Sequence, residues 1–213
     1  MKNNLHKIGL SIVASILIAS ASIAQFEGEI IFEKNVGKIH VIYKYFVKGN
    51  DIRIEEVGED GTIDGIQLMD LETKKTYALS PERKLWFETP NRRPAKTLDV
   101  DIKKTKETRE ILGKKCFEVI VTNKENDRKI IYWITKGDYE FFIPMLETLN
   151  RKENQAMYYL EIEGMENHFP MLSTEYALST GNVISTLKAE SVEAKKIASE
   201  TFVIPKDYGK FER

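Results

Sequence analysis

The stretch FEGEIIFEKNVGKIHVIYKYFVKGNDIRIE, residues 26–55, decides the fold that this sequence predicts. Apolar and polar side chains alternate along most of it, with the two-residue period of a β-strand that has one buried face. Turn residues at 36–38 and 49–51 interrupt the alternation, and short turns of this kind join neighbouring antiparallel strands. The stretch therefore predicts the first three strands of an antiparallel meander.

The same pattern continues toward the C-terminus. Strands are predicted at 62–71, 76–79 and 84–88, so that the first half forms a meander of about six strands. Asp99 to Glu110 alternates more weakly, as expected of a polar edge strand. Further strands are predicted at 115–122 and 128–135, and the second of these is apolar on both faces, which is typical of a strand inside a sheet that is covered on each side.

The spacing of apolar residues changes after Gly137. Phe141 to Leu149 shows apolar residues three and four apart, the spacing of an amphipathic helix. Pro144 is best tolerated in a first helical turn, so we expect a helix that begins near Ile143. Residues 156–162 either extend it or begin a strand, and Gly164 is expected to end it. Strands return at 171–177 and 183–192, followed by one helical turn at 199–202.

The first 24 residues have the three parts of a secretory signal peptide. Lys2 and Lys7 precede the apolar run 8–18, and small residues lead to Ala24. We expect cleavage after Ala24, because the apolar run is short compared with the roughly 20 residues of a membrane-spanning helix. The sequence thus predicts a periplasmic or secreted protein with one domain, residues 25–213, that does not span the membrane after cleavage. An uncleaved membrane anchor is the alternative.

The charge distribution argues against nucleic acid as a partner. The chain has 32 basic and 33 acidic residues, and both signs are scattered along it. The one short basic stretch, residues 91–96, lies beside prolines and is interpreted as a solvated loop, with an anion site as the alternative. Cys116 is the only cysteine, so no intramolecular disulfide can form, and we expect it to be a structural thiol.

No catalytic, metal or cofactor site follows from the motifs. A metal site needs several ligands on a fixed scaffold, and His40, on a strand, and His168, expected in a loop, are the only histidines after residue 24. The acids near Glu55 lack the ordered ligand spacing of a calcium loop. Neither a nucleophile elbow nor a phosphate-binding glycine pattern is present. We expect a protein that is not an enzyme and holds no cofactor.

Several short motifs, in this order, resemble a known family. ILGKKC at 111–116 and YWIT at 132–135 are followed by NHFPM at 167–171, TGN at 180–182 and FVIPKDY at 202–208. Together they resemble a secreted bacterial family, domain of unknown function 4412, over residues 26–211. Its fold is similar to that of the outer-membrane lipoprotein carriers. The resemblance implies a mainly β protein with a few helices (α+β), in which a strongly curved antiparallel sheet forms a half-open barrel covered by helix and loop segments.

The resemblance and the aromatic content together predict an apolar cavity on the concave face, with the segment 141–149 as a candidate lid. Methionine is unbranched and suits a cavity that adapts to flexible chains. The candidate cavity residues are Phe32, Tyr43, Tyr45, Met69, Trp86, Trp133, Phe141, Phe142, Met145 and Leu149. The leading hypothesis is a non-catalytic envelope protein that binds a lipid or another apolar molecule. The alternative is a filled core in a module that senses the envelope or binds an envelope protein.

Overall fold

A computed structural model describes residues 25–90, 98–150 and 152–212. The predicted signal peptide and the basic loop at 91–96 lie outside the described residues. Within the described residues, twelve strands and two α-helices follow one another along the chain. The strands are β1 (Glu27–Val36), β2 (Ile39–Lys48), β3 (Asp51–Val57), β4 (Ile63–Asp70), β5 (Lys75–Ser80), β6 (Leu85–Thr89), β7 (Asp101–Ile111), β8 (Lys114–Asn123), β9 (Arg128–Lys136), β10 (His168–Ala177), β11 (Val183–Ala194) and β12 (Gly209–Lys210). The helices are α1 (Phe142–Leu149) and α2 (Asn154–Leu160), and a single 3-10 turn spans Ser199–Phe202.

All twelve strands belong to one curved sheet that is not closed, and the predicted half-open barrel is confirmed. The strand order is β12-β6-β5-β4-β3-β2-β1-β11-β10-β9-β8-β7. Strands β1 to β6 form the predicted six-strand meander, and β7 to β11 form a second one. Pairing of β1 with β11 joins the two. The pairs are antiparallel except for β12, which runs parallel to β6.

Several of the turns that join the strands contain residues in left-handed backbone conformations. Between β7 and β8 the turn consists of Leu112 and Gly113, with φ angles of 50° and 71°. Two positive φ angles in a two-residue turn match the twist of an antiparallel hairpin. The polar strand β7 lies at the free edge of the sheet, as its weak alternation predicts. A charged and largely exposed edge strand of this kind discourages pairing with other chains.

A helical cover lies over the concave face of the sheet. We use this name for the chain between β9 and β10, residues 137–150 and 152–167. Pro144 lies in the first turn of α1 as predicted, and Asn150 ends that helix with a φ of 45°. The second helix, α2, settles the predicted ambiguity at 156–162 in favour of a helix. At the base of the cover, the Gly137 N–H donates to the carbonyl of Asn167 at 2.9 Å, so both ends of the cover leave the sheet at one place.

The largest apolar core lies between the concave face and the helical cover. Side chains from β1 to β4 and from β8 to β11 contribute, and both helices pack onto them. Phe169 lies near its centre, because its ring lies 4.8 Å from that of Phe142 and 4.9 Å from that of Tyr139. The rings of Phe142 and Tyr139, which belong to the helical cover, hold the cover against the sheet by packing on Phe169. The main core and the attachment of the cover therefore depend on the same contacts.

A second, smaller core lies on the outer face of the other end of the sheet. Ile66, Leu68 and Leu79 are buried there beneath Ile204 and Tyr208 of the C-terminal segment. That segment crosses the outer face of β3 to β6, and its path is fixed by hydrogen bonds. Arg53, whose neighbours Ile52 and Ile54 point into the main core, donates from Nη1 to the carbonyl of Thr201 at 3.1 Å. The sheet therefore has apolar contacts on both faces at this end.

In the described part of the chain, no helix has the length and apolar character needed to cross a membrane.

Candidate ligand cavity beneath the helical cover

A small cavity of about 50 Å³ lies between the concave face and the helical cover. Its walls come from five strands, both helices and the connection between the helices. The lining side chains are Phe32, Tyr45, Tyr132, Phe142, Leu146, Leu149, Glu153, Gln155, Ala156, Pro170, Ser173 and Leu187. Most of these are apolar, so the cavity has the general character of a site for an apolar molecule.

The floor of the cavity follows from the alternation of the central strands. Phe32 on β1 and Tyr45 on β2 both point to the concave face, and their rings meet edge to face at a centroid distance of 5.1 Å. Tyr132 on β9 lies on the same face and is fully buried. These rings form a rigid floor, since each is held on a strand that is paired on both sides.

The roof follows from the helical spacing of α1. Phe142, Leu146 and Leu149 lie four and three residues apart, so their side chains share one face of the helix, and all three line the cavity. Phe142 also packs edge to face on Tyr159 of α2 at 5.2 Å. A short helix is marginal by itself in water, so we infer that burial of this apolar face stabilises α1.

Polar groups occur at a few points of the cavity wall. The Tyr132 hydroxyl donates to the backbone carbonyl of Gln155 at 2.8 Å, which ties α2 to the sheet. Lys34 of β1 forms an ion pair with Glu153 at 2.9 Å, across the connection that precedes α2. The side chain of Gln155 is different, because its Nε2 is buried with no hydrogen-bond partner while the residue lines the cavity and is only 7% exposed.

A buried carboxylate holds the beginning of α2 against the sheet. Glu175 of β10 is 7% exposed. It accepts hydrogen bonds from the Ser185 hydroxyl at 2.9 Å and from the side-chain amide of Asn154, in the first turn of α2, at 2.7 Å. Arg128 lies 3.1 Å away as its cationic partner. A buried charge with this many partners is satisfied, so the group is assigned to positioning the cover.

The buried tyrosines of this region are neutral phenols. Burial is the largest cause that raises the pKa of Tyr132 and of Tyr159, and it raises the pKa of Tyr139 to about 12. The Tyr159 hydroxyl is buried and has no hydrogen-bond partner. None of the three supplies a phenolate near neutral pH, so all three act as apolar packing groups, and Tyr132 also donates a hydrogen bond.

Four of the residues predicted from the sequence line the cavity, and four others pack around it. Phe32, Tyr45, Phe142 and Leu149 are in the lining. Tyr43, Met69, Phe141 and Met145 belong to the surrounding core, where all four are buried. The structure thus brings eight of the predicted side chains to one face of the sheet, in a region that is mostly filled.

The two tryptophans in the prediction are not in the cavity lining. Trp86 is part of the second core on the outer face, where it packs edge to face on Tyr77 at 5.8 Å. Trp133 follows Tyr132 on β9, so its side chain leaves the strand on the opposite side from that of Tyr132; it is partly buried against the edge of the main core, with the Arg109 guanidinium 4.2 Å above its ring. Neither lines the cavity. The strands that carry them have apolar residues on both faces. An aromatic residue in such a strand therefore does not indicate by itself which face of the sheet its side chain occupies.

Several lining residues were not in the prediction. Leu146 lies one helical turn after Phe142, and Leu187 continues the alternation of β11, so the periodicity contained both signals. The polar members Glu153, Gln155 and Ser173 carried no such signal, because a polar residue in an exposed connection and one in a cavity wall look the same in a sequence.

The structure also places the metal-ligand and thiol candidates considered in the sequence. They contain no group of three or more His, Cys, Asp or Glu side chains that could hold a metal ion. Cys116 is buried as predicted, and burial is the largest cause that raises the pKa of its thiol. A buried thiol of raised pKa is a poor nucleophile. His168, which was expected in a loop, is the first residue of β10 instead.

A family model described as a domain of unknown function (DUF4412) matches residues 26–208. No curated protein matches the sequence. Among solved structures, the chain is similar to an uncharacterized conserved protein from Thermus thermophilus, with 8% identity and a TM-score of 0.55, over 87% of this chain and 89% of that one. This likeness shows a shared fold.

Two other solved structures share weaker similarity. PNGF-II has 12% identity and a TM-score of 0.45, and the match covers 87% of this chain but 30% of that one. A LolA superfamily protein from Nitrosomonas europaea has 12% identity and a TM-score of 0.36, over 85% of this chain and 91% of the other. The fold comparison therefore rests on the Thermus protein.

Proposed function

We propose that this chain, which belongs to the DUF4412 family, a domain of unknown function, is a non-catalytic envelope protein that binds an apolar molecule, such as a lipid chain, beneath its helical cover. The location in the envelope rests on the signal-peptide pattern of the first 24 residues.

The observation that carries this proposal is the cavity between the helical cover and the concave face. Its lining is mostly aromatic and aliphatic, and one buried donor, Nε2 of Gln155, is left without a partner. A buried polar group without a partner lowers stability. A ligand with an apolar body and one acceptor oxygen would contact the apolar lining and accept a hydrogen bond from Nε2 of Gln155. Burial of each methylene contributes ~0.8 kcal/mol, so a chain of about eight supplies roughly 6 kcal/mol without catalytic groups.

The size of the cavity sets a condition on binding. A cavity that accepts benzene has a volume of about 150 Å³, whereas the cavity here has about 50 Å³. An apolar chain therefore enters only if the helical cover moves away from the sheet. Among the described residues, the polar contacts that such a movement breaks include those of Tyr132 with Gln155, Lys34 with Glu153, and Asn154 with Glu175.

The same small volume favours a second candidate function. In this alternative, the cover fills the concave face permanently, and the protein binds an envelope partner through a strand edge or through the basic loop at 91–96. The aromatic packing around Phe169 supports the alternative, because it leaves little space inside. The two functions differ in whether the interior takes up a molecule.

Native mass spectrometry of the protein purified from the envelope without detergent tests the proposal. We expect a bound apolar molecule that leaves on organic extraction and returns when envelope lipids are added back. Ala156→Phe places a ring in the cavity wall and should abolish that return. Ala194→Phe, at an exposed position of β11, is the matched control and should bind like the original chain.

A protein that has no bound molecule and takes up none from mixed envelope lipids contradicts the proposal and favours the interaction module. The same holds if Ala156→Phe binds as well as Ala194→Phe while both remain folded, because the ligand would then lie outside the cavity.

A further inference from the structure

A second pocket, of about 500 Å³, opens at the base of the helical cover, where the cover leaves β9 and rejoins β10. We call it the basal pocket. Its lining residues are Lys114, Lys115, Phe117, Thr135, Lys136 and His168. Three of these six side chains are cationic, in a protein whose charges are otherwise mixed. The pocket shares none of its lining with the cavity beneath the cover.

The pairing of three strands brings these residues together. Lys136 is the last residue of β9 and faces His168, the first residue of β10, across the ladder. Phe117 of β8 pairs with Ile134 of β9, so Phe117 and Lys115 lie on the same face of the sheet as Lys136 and His168. The hydrogen bond from Gly137 to Asn167 closes the ladder directly beyond the pocket. The pocket is therefore built on paired backbone, and its positions are fixed by the sheet.

The cations of the basal pocket are not neutralised by ion pairs. Among the residues the structure describes, Lys114, Lys115 and Lys136 form no ion pair with a carboxylate within 4.0 Å. A fourth cation, Lys104, reaches the region and donates to the backbone carbonyl of Glu163 at 3.0 Å. Several uncompensated ammonium groups around one concave surface create a positive potential that attracts an anion.

The imidazole of His168 adds a neutral hydrogen-bonding group. Its ring packs edge to face on Phe117 at 5.6 Å, and its Nδ1 is buried without a partner. Burial is the largest cause that lowers the pKa of His168, the charges of Lys136 and Lys104 lower it further, and Glu166 opposes them. The ring is therefore mostly neutral at pH 7, and a nearby anion favours its protonated form.

We propose that the basal pocket binds a phosphate-class oxyanion, with the ammonium groups of Lys115 and Lys136 and the imidazole of His168 as its polar contacts. Lysine is a common phosphate binder and acts as a compact charge. The pocket has room for more than inorganic phosphate, and the Phe117 ring provides an apolar wall for the organic part of a phosphate monoester. Lys136 and His168 flank the cover, so an anion that contacts both also bridges the two ends of the cover.

Proton NMR of the full chain gives a direct test, because the imidazole signals of His168 and His40 can be assigned by loss in H168Q and H40Q. The pH titration is recorded with inorganic phosphate, with glycerol phosphate and with chloride, all at one ionic strength. We expect both phosphates to raise the pKa of His168 saturably, and chloride to have no such effect. The signal of His40, which lies on β2 and outside the basal pocket, serves as the internal control.

Variants then assign the contacts. Lys115→Gln and Lys136→Gln should each weaken phosphate binding about tenfold, the cost of losing one charge-assisted hydrogen bond. Lys38→Gln, in the exposed turn between β1 and β2, should leave it unchanged. Tighter binding of the glycerol ester identifies a monoester site, and equal binding identifies a site for free phosphate.

An equal response of His168 to chloride overturns the proposal, as does loss of binding in Lys38→Gln to the same degree as in Lys136→Gln. The proposal is independent of the apolar ligand, since Lys136→Gln should still take up envelope lipids in the mass-spectrometric experiment.

Discussion

Two buried tyrosines that touch each other are predicted to respond in opposite ways to the same substitution. Tyr132 and Tyr159 are each 1% exposed, and their rings lie 5.6 Å apart. The Tyr132 hydroxyl donates to the carbonyl of Gln155, whereas the Tyr159 hydroxyl has no partner. Substitution by phenylalanine removes one oxygen from each and leaves the ring in place, so the two variants isolate the contribution of a hydroxyl.

The expected magnitudes follow from those contacts. Tyr132→Phe loses a hydrogen bond, which lowers the free energy of unfolding by about 1 kcal/mol. Tyr159→Phe removes a buried hydroxyl that lost its hydration on folding without gaining a bond, and this raises the free energy of unfolding by about 1 kcal/mol. The two variants should therefore differ by about 2 kcal/mol, although they change the same atom type in the same core.

Urea unfolding measures the difference. With a slope of about 2 kcal/mol per M, the midpoint should fall by about 0.5 M in Tyr132→Phe and rise by about 0.5 M in Tyr159→Phe. The slopes should be unchanged, because neither variant alters the surface exposed on unfolding. A midpoint for Tyr159→Phe below that of the original chain refutes the reasoning, since it means that the Tyr159 hydroxyl is satisfied in solution, for example by a buried water.

Three further predictions concern the cover, the basal pocket and the thiol. Phe142→Ala, which empties space in the main core, should cost about 3–5 kcal/mol, whereas Phe211→Ala, at a half-exposed ring, should stay within about 0.5 kcal/mol in urea unfolding; equal costs would contradict the assignment of the core. The pKa of His168 in the folded chain lies below its usual value of 6.5, so the unfolded chain binds more protons as the pH falls. The contribution of neutral His168 to the free energy of unfolding is therefore complete above pH 6.5 and is lost as the pH falls toward the folded-state pKa. Urea midpoints measured from pH 8 to pH 5 should therefore fall less steeply in His168→Gln than in the original chain, and an unchanged slope would contradict this. Cys116 should react with a thiol reagent only at the rate of unfolding, because it is buried; rapid reaction of the folded chain, followed by absorbance, would show the thiol to be accessible.

Much of the fold could be predicted from local periodicity. The alternation in residues 26–55 corresponds to β1, β2 and β3, and the turn residues fall where the chain reverses. The helical spacing after Gly137, with Pro144 in its first turn, corresponds to α1. These signals are strong because each depends on residues within one strand or one helical turn of each other, so no knowledge of distant parts of the chain is needed.

The candidate site could be predicted only in part. The sequence placed Phe32 and Tyr45 on predicted strands, and Phe142 and Leu149 in the predicted helical segment. The structure brings all four into the lining of one cavity. It gave the same indication for Trp86, which lies on the opposite face of the sheet. Alternation shows which residues of a strand share a face, but a strand with apolar residues on both faces does not reveal which face the cover lies on.

By itself, the sequence determined the order of the strands along the chain, the beginning of α1 and the burial of the lone thiol. The tertiary structure decided that β1 pairs with β11, more than 140 residues away, that the C-terminal segment covers the outer face, and that Lys136, His168 and Lys114 share one pocket. The physical reason is the range of the forces involved. Periodicity reflects steric and solvation preferences over a few residues, whereas pairing and pocket formation depend on which distant surfaces bury the most apolar area together.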